Sequence, residues 1–408
     1  MTSVMLLENI HESATSRLHE AGLEVERRSG ALTGAPLRDV LASHDLIGIR
    51  SATHLTADDI RSTPRLTSIG CFCIGTSQVD LQAATAAGMP VFNAPFSNTR
   101  SVAELVVSEA VMLLRRIPEK NMLAHTGKWA KGAAGAVEAR GKTLAIVGYG
   151  NIGSQVGVLA EAMGMRVVYY DIQPKLSLGS ARAEGALVDA VAHADVITLH
   201  VPATSRTRYM IDAEILAACK RGAMLINASR GTVVDIAALA QALRSGQIGG
   251  AAIDVFPTEP KTNNDPFVSE LQNLPNVLLT PHIGGSTEEA QENIGIEVAA
   301  KLANFHATGS TIGAVNFPEV DPGPLQSPAR LLNVHSNAPG ALAALNTLLA
   351  REGINITGQH LQTRNDTGYV VTDIDKPPSA ELEQALRSHP GVVRIRVIRR
   401  QDAPDSAA

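Results

Sequence analysis

Arg230, Glu259 and His282 are the residues on which chemistry can be built. They lie in Asn227-Ala228-Ser229-Arg230-Gly231, in Asp254-Val255-Phe256-Pro257-Thr258-Glu259-Pro260 and in Pro281-His282-Ile283-Gly284-Gly285-Ser286. Each segment follows an apolar run that reads as a strand, at 223–227, 250–255 and 277–280. All three therefore stand at carboxyl ends of strands, where open α/β sheets bind their ligands. The residue types suit removal of hydride from a carbon that bears a hydroxyl and a carboxylate. An arginine holds a carboxylate through two parallel hydrogen bonds. A histidine near neutral pH takes the hydroxyl proton. A carboxylate orients the histidine and favours its protonated form.

Hydride needs an acceptor, and a dinucleotide site precedes these segments. An apolar strand at 142–147 runs into Gly148-Tyr149-Gly150-Asn151-Ile152-Gly153, a helix follows at once, and a second strand at 166–170 ends on Asp171. Gly148 permits a tight turn, Gly150 lets the backbone approach a pyrophosphate, and Gly153 lets the helix pack closely on the strand. The helix N-terminus offers N–H groups and a positive dipole end to the phosphates. Asp171 accepts hydrogen bonds from ribose hydroxyls and repels a 2′-phosphate, which favours NAD over NADP.

Short apolar strands at 4–7, 23–27, 46–49, 66–70 and 89–92 alternate with helices at 11–20, 36–42, 57–60 and 81–87. That alternation predicts a parallel sheet covered on both faces. A long helix at 101–116, ended by Pro118, leads into a second α/β run from about Gly141, and another long helix occupies 287–306. The two long helices bracket the second run, so the first domain is expected to be discontinuous: 1–98 with 286–317, around a domain at 99–285. Prolines at 318, 322, 324 and 328 mark a linker at 318–329. Residues 330–400 then read strand, helix, strand, strand, helix, strand, the order of a ferredoxin-like unit, and 401–408 read as a disordered tail.

Of the 408 residues, 45 % are hydrophobic and the net charge is −5, so no basic surplus points to nucleic acid or to an anionic membrane. No apolar run approaches the roughly 20 residues of a membrane span. Cys71, Cys73 and Cys219 lack the spacing of a zinc site and read as thiols of a reducing compartment, so no metal and a cytoplasmic setting are expected.

Segments 69–76, 93–105, the glycine loop, 227–235, 252–260 and 281–287 together resemble the D-isomer-specific 2-hydroxyacid dehydrogenase family over nearly the whole chain. The resemblance is closest to its serine-sensitive bacterial branch, which oxidises 3-phospho-D-glycerate to 3-phosphooxypyruvate at the start of L-serine biosynthesis. It implies a flavodoxin-like substrate domain, a Rossmann NAD domain and a C-terminal ACT regulatory domain. By resemblance, Arg230 binds the carboxylate and carbonyl, His282 exchanges the proton and Glu259 supports it. Asn151, Ile152, Asp171, Ala228, Ser229, Arg230, Asp254, His282, Gly284 and Gly285 carry over as NAD-site positions.

The substrate phosphate requires cations, and Arg50 with Ser51, Asn98 and Lys131 match substrate-binding positions; Ala52 replaces a further family arginine. In the tail, His335, Asn337 and Asn355 match the L-serine site formed between two paired ACT domains, with Ser336 and Ala338 in place of a Glu and an Arg. The same branch implies a homotetramer and side reduction of 2-oxo acids such as 2-oxoglutarate. Two other readings share the catalytic residues. A glyoxylate or hydroxypyruvate reductase needs neither a phosphate site nor the tail, and a non-catalytic NAD-sensing protein uses the same fold.

Overall fold

The computed structural model describes residues 2–260 and 264–400. The expected disordered tail at 401–408 lies outside the described residues. The chain divides into two compact units, one made of Met1–Ser97 with Gln291–Ala408 and the other of Asn98–Ala290.

The first unit begins with a parallel sheet of β1 (Ser3–Leu6), β2 (Glu24–Arg27), β3 (Leu46–Ile49), β4 (Ser68–Cys71) and β5 (Val91–Phe92), in the flavodoxin-like order β2-β1-β3-β4-β5. Alternate residues of β1 serve opposite cores. Val4 and Leu6 pack towards Val298 and Leu302 of the helix Glu288–Thr308, while Met5 and Leu7 pack with Leu37, Leu41 and Val91. Burial of both faces explains why β1 and β3 read as unbroken apolar runs.

The second unit carries β6 (Thr143–Val147), β7 (Arg166–Tyr170), β8 (Arg182–Ala183), β9 (Val196–Leu199), β10 (Ala223–Asn227), β11 (Ile248–Ile253) and β12 (Val277–Leu279), all parallel. Their order is β12-β11-β10-β9-β6-β7-β8, so connections leave β6 in both directions and the sheet is doubly wound. The long helix here spans Thr99–Leu114, and Pro118 does not simply end it. Arg116 takes a left-handed turn, and Pro118 stands in the first turn of a new helix, Ile117–His125, where a missing N–H costs nothing.

The tail forms an antiparallel sheet of β13 (Ala329–Ser336), β14 (Ile356–Arg364), β15 (Thr367–Ile374) and β16 (Val392–Arg399), ordered β14-β15-β13-β16. It belongs to the first unit. Leu331, Val370 and Ile374 meet the sheet's own helices, whereas Leu332, Val334, Tyr369 and Val371 join the core around Leu302 and Phe305. Arg330 is buried on β13. It ion-pairs with Asp373 at 2.6 Å and donates to the carbonyls of Thr308 at 2.9 Å and Gly323 at 2.7 Å. Phe317 and Val320, in the proline-rich stretch, are buried, and Thr311 Oγ1 donates to the Pro318 carbonyl at 2.6 Å. Cys71 and Cys219 are buried and Cys73 is half-buried. Among the described residues, no helix is long and apolar enough to cross a membrane.

Candidate active site

The glycine loop between β6 and the helix Asn151–Ala162 has a steric reason for glycine at Gly148 and Gly153. Gly148 has φ 93°, a left-handed backbone, and a Cβ there would run into the His200 carbonyl. A Cβ on Gly153 would run into the carbonyl of Gly148. Gly150 caps the helix and has nothing within 4 Å of where a Cβ would stand, so the backbone borders open space at a helix N-terminus. That arrangement suits a pyrophosphate. Asp171, beyond β7, accepts Tyr149 N–H at 2.9 Å and Gln173 N–H at 2.9 Å, one on each oxygen. Both oxygens keep a lone pair for ribose hydroxyls.

Around the ends of β10, β11 and β12 the structure brings Arg230, Asp254, Glu259 and His282 together. His282 Nδ1 lies 2.9 Å from Glu259 Oε2, and Glu259 Oε1 accepts Phe256 N–H at 3.1 Å. His282 itself has φ 55°, which costs a non-glycine residue about 1–2 kcal/mol. Its N–H donates to the Asp254 carbonyl at 2.8 Å. The buried Asp254 carboxylate accepts Thr280 Oγ1–H at 2.6 Å, Ile283 N–H at 2.8 Å and Gly284 N–H at 2.9 Å. One carboxylate thus grips the turn on both sides of the histidine.

The hydrogen bond to Glu259 raises His282 above the usual histidine range, against burial and Arg230 and with help from the charges of Glu259 and Asp254. Burial pushes Glu259 up, but the bonds from His282 and Phe256 N–H and the charges of His282 and Arg230 together hold it below the usual carboxylate range. The half-buried Arg230 donates through Nη1 to the Ser229 carbonyl at 2.7 Å.

Several supports were not singled out from sequence. Asn227, fully buried, accepts the Ser229 N–H at 3.1 Å and hydroxyl at 2.8 Å and donates to the Arg230 carbonyl at 3.1 Å. The Ser229 hydroxyl is therefore turned into the loop. A Cβ on Gly231 would run into the Phe256–Pro257 backbone, so only glycine lets the Arg230 loop approach the Glu259 loop so closely. Glu109, on the helix Thr99–Leu114, is buried with neither carboxylate oxygen partnered among the described residues. Burial first, and then the charge of Asp254, push it up to about 8.

The chain is 54 % identical over 397 residues to a D-3-phosphoglycerate dehydrogenase of Escherichia coli (strain K12), covering 97 % of both chains. The NAD binding domain of the D-isomer specific 2-hydroxyacid dehydrogenases matches residues 107–284. The chain belongs to the D-isomer specific 2-hydroxyacid dehydrogenase family. It is an NAD-dependent oxidoreductase of that family, and an AHAS small subunit-like ACT domain matches residues 331–394. A Saccharomyces cerevisiae relative named D-3-phosphoglycerate dehydrogenase 1 is 45 % identical, covering 97 % of this chain and 87 % of its own. Among solved structures, the D-lactate dehydrogenase of Aquifex aeolicus complexed with NAD and lactic acid superposes with a TM-score of 0.68 at 27 % identity. It covers 78 % of this chain and 100 % of its own. A pure NAD sensor and a glyoxylate or hydroxypyruvate reductase are not favoured by these matches.

The remaining expected positions of this family member fall as follows. Asn151 opens the glycine-loop helix, with Ile152 packed against the core below it, and Ala228 packs there too. Gly285 lies against Asn98, because a Cβ on Gly285 would come within 2.5 Å of Asn98 Nδ2. Lys131 is exposed in the loop after Ile117–His125. Arg50 and Ser51 follow β3 in the first unit.

In the ACT sheet, His335 is buried with Nδ1 2.8 Å from Asn333 Oδ1, and burial lowers its pKa. Asn337 donates to the Asn365 carbonyl at 3.1 Å, while Asn355 N–H is held by Asp375 at 3.0 Å. The register pairs Ser336 with Thr367 at one end of the sheet and Ala329 with Ile374 at the other, and Asn355 lies at the latter end. At about 3.3 Å per residue, the seven residues from Ser336 to Ala329 alone separate the two asparagines, one beyond each end, by roughly 23 Å or more along the strands. One chain cannot place both on a single small molecule.

Proposed function

We propose that the chain oxidises 3-phospho-D-glycerate to 3-phosphooxypyruvate in the cytoplasm, the first step of L-serine biosynthesis. The observation that carries this reading is the 2.9 Å contact between His282 and Glu259 in a chain so similar to D-3-phosphoglycerate dehydrogenases. With Nδ1–H directed at Glu259, Nε2 of neutral His282 is the base. It takes the C2 hydroxyl proton while hydride leaves C2, so the O–H and C–H bonds break as the carbonyl forms. Glu259 stabilises the imidazolium that results, and Arg230 holds the substrate carboxylate and the developing carbonyl. NAD supplies the hydride acceptor. Gly148, Gly150, Asn151, Ile152 and Gly153 would hold its pyrophosphate and Asp171 its adenosine ribose. Ala228, Ser229, Arg230, Asp254, His282, Gly284 and Gly285 would complete the NAD site, with Asp254 near the nicotinamide end.

Arg50, Ser51, Asn98 and Lys131 hold the phosphorylated substrate, with domains at 1–98 with 286–317, 99–285 and 330–400 joined by a linker at 318–329. L-serine inhibits by binding between two copies, where His335 and Asn337 of one chain meet Asn355 of the other. The separation of the two asparagines within one chain supports this. Pairing of ACT units belongs to a homotetramer. Reduction of 2-oxoglutarate is a side activity of the same His282 and Arg230.

Initial rates with 3-phospho-D-glycerate and with D-glycerate test the substrate assignment. Arg50→Ala is expected to raise KM for the phosphorylated substrate roughly tenfold or more and to leave D-glycerate unaffected. Equal effects on the two would remove Arg50 from the phosphate site.

A further inference from the structure

The loop after β3 presents Arg50 and Ser51, and its backbone amides converge on one carboxylate. Glu8 Oε1 accepts Arg50 N–H at 3.1 Å and Thr53 N–H at 2.8 Å, and Glu8 Oε2 accepts Ala52 N–H at 2.9 Å. Successive backbone N–H groups turned to one side make a concavity suited to an anion, and here the chain fills it with its own. The far side of the Arg50 peptide is also held, since Gln78 Nε2 donates to the Arg50 carbonyl at 2.7 Å and Gln78 is itself buried.

Glu8 reaches this position through an unusual backbone. It has φ 59° and the next residue, Asn9, has φ 52°. Two consecutive non-glycine residues in the left-handed region store strain that the surroundings must hold, a pattern associated with functional sites. The carboxylate that benefits lies just beyond β1, the neighbour of β3 in the sheet.

We propose that Glu8 is a positioning residue that sets the specificity of the enzyme for a phosphorylated substrate, a role that rests on the reading of Arg50 as the phosphate-binding cation. By occupying the amide concavity, Glu8 denies it to the substrate and stiffens the loop, so the phosphate is met by the Arg50 guanidinium and the Ser51 hydroxyl. Two effects of Glu8 compete. Its charge repels an anionic substrate through solvent, whereas its three charge-assisted hydrogen bonds order the residues that bind it. The hydrogen bonds dominate, because charge–charge effects across an exposed loop are screened and charge-assisted bonds to backbone N–H are the stronger kind.

Two substitutions separate the effects. Glu8→Gln removes the charge and turns an N–H₂ group towards amide donors. Glu8→Asp keeps the charge but is too short to reach all three amides. Both are expected to raise KM for 3-phospho-D-glycerate roughly tenfold, with kcat, KM for NAD and KM for D-glycerate changed less than about twofold. Amide hydrogen exchange at Arg50, Ala52 and Thr53 is expected to accelerate in both variants. D-glycerate serves as the control for misfolding, because a merely unfolded fraction lowers rates with both substrates alike. A lowered KM for the phosphorylated substrate in Glu8→Gln with no change in Glu8→Asp would mean that charge alone matters and would overturn the proposal. So would unchanged KM in both variants while Arg50→Ala is selective. If Arg50→Ala affects both substrates equally, the phosphate site itself fails, and this role for Glu8 with it.

Discussion

The carboxylate of Asp254 receives the backbone N–H of Gly284 at 2.9 Å, and so fixes the turn on which His282 stands. A second oxygen holds Ile283 N–H, so the left-handed backbone of His282 is clamped on its C-terminal side. Asp254 thereby places the ring that we propose as the proton acceptor. Asp254→Asn opposes one amide donor with another. It should lower kcat by roughly 10²-fold, the scale of a misplacement of about 1 Å, while the fold persists. Steady-state kinetics alongside circular dichroism check this.

Glu109 yields a prediction about stability and pH. Its carboxyl is pushed up to about 8 by burial, and by the charge of Asp254, from an ordinary value near 4.5. The folded form therefore holds a proton that the unfolded form releases between those values. Stability from this group is present at low pH and is lost as pH rises towards 8. Glu109→Gln cannot ionise, so its Tm at pH 8 should exceed that of the parent by roughly 2–4 °C, with the difference shrinking towards pH 5. Thermal melts across that range decide it.

The ACT unit makes a prediction that only a two-chain site satisfies. Inhibition by millimolar L-serine should vanish in Asn337→Ala and in Asn355→Ala enzymes separately. Co-expression of the two variants should restore part of it, because a mixed pair rebuilds one complete site from the intact asparagine of each chain. Mixed enzyme that stays insensitive would mean that the two residues do not serve one site.

Much of this was legible in the sequence, for identifiable reasons. The strands β1, β3, β6, β9 and β10 are buried on both faces and so appear as apolar runs. The glycine loop shows itself because Gly148 and Gly153 answer local steric demands and the spacing to Gly150 is fixed by the turn they make. Arg230, Glu259 and His282 could be placed because strand ends are local features and parallel topology gathers them. What was not legible depends on partners far apart in the chain. Nothing near Glu8 announces that its carboxylate will meet Thr53, nothing near Gly231 announces Phe256, and Glu109 looks like one polar residue on an apolar helix. Pro118 read as a stop because its neighbours do not reveal the left-handed turn at Arg116 that lets a new helix begin. The strand β8, two residues long, is too short to carry any periodicity.

We propose His282 as the proton acceptor, tuned by Glu259. The most direct measurement is the pH dependence of kcat for hydroxy acid oxidation in the parent enzyme and in Glu259→Gln. Oxidation needs neutral His282, so the rate falls on the acid side as the ring is protonated. Glu259 raises the pKa of His282 through its hydrogen bond and its charge, so removing that charge should move the acid limb to lower pH while the plateau kcat drops. An acid limb that stays where it is in Glu259→Gln would mean that Glu259 does not tune the proton acceptor.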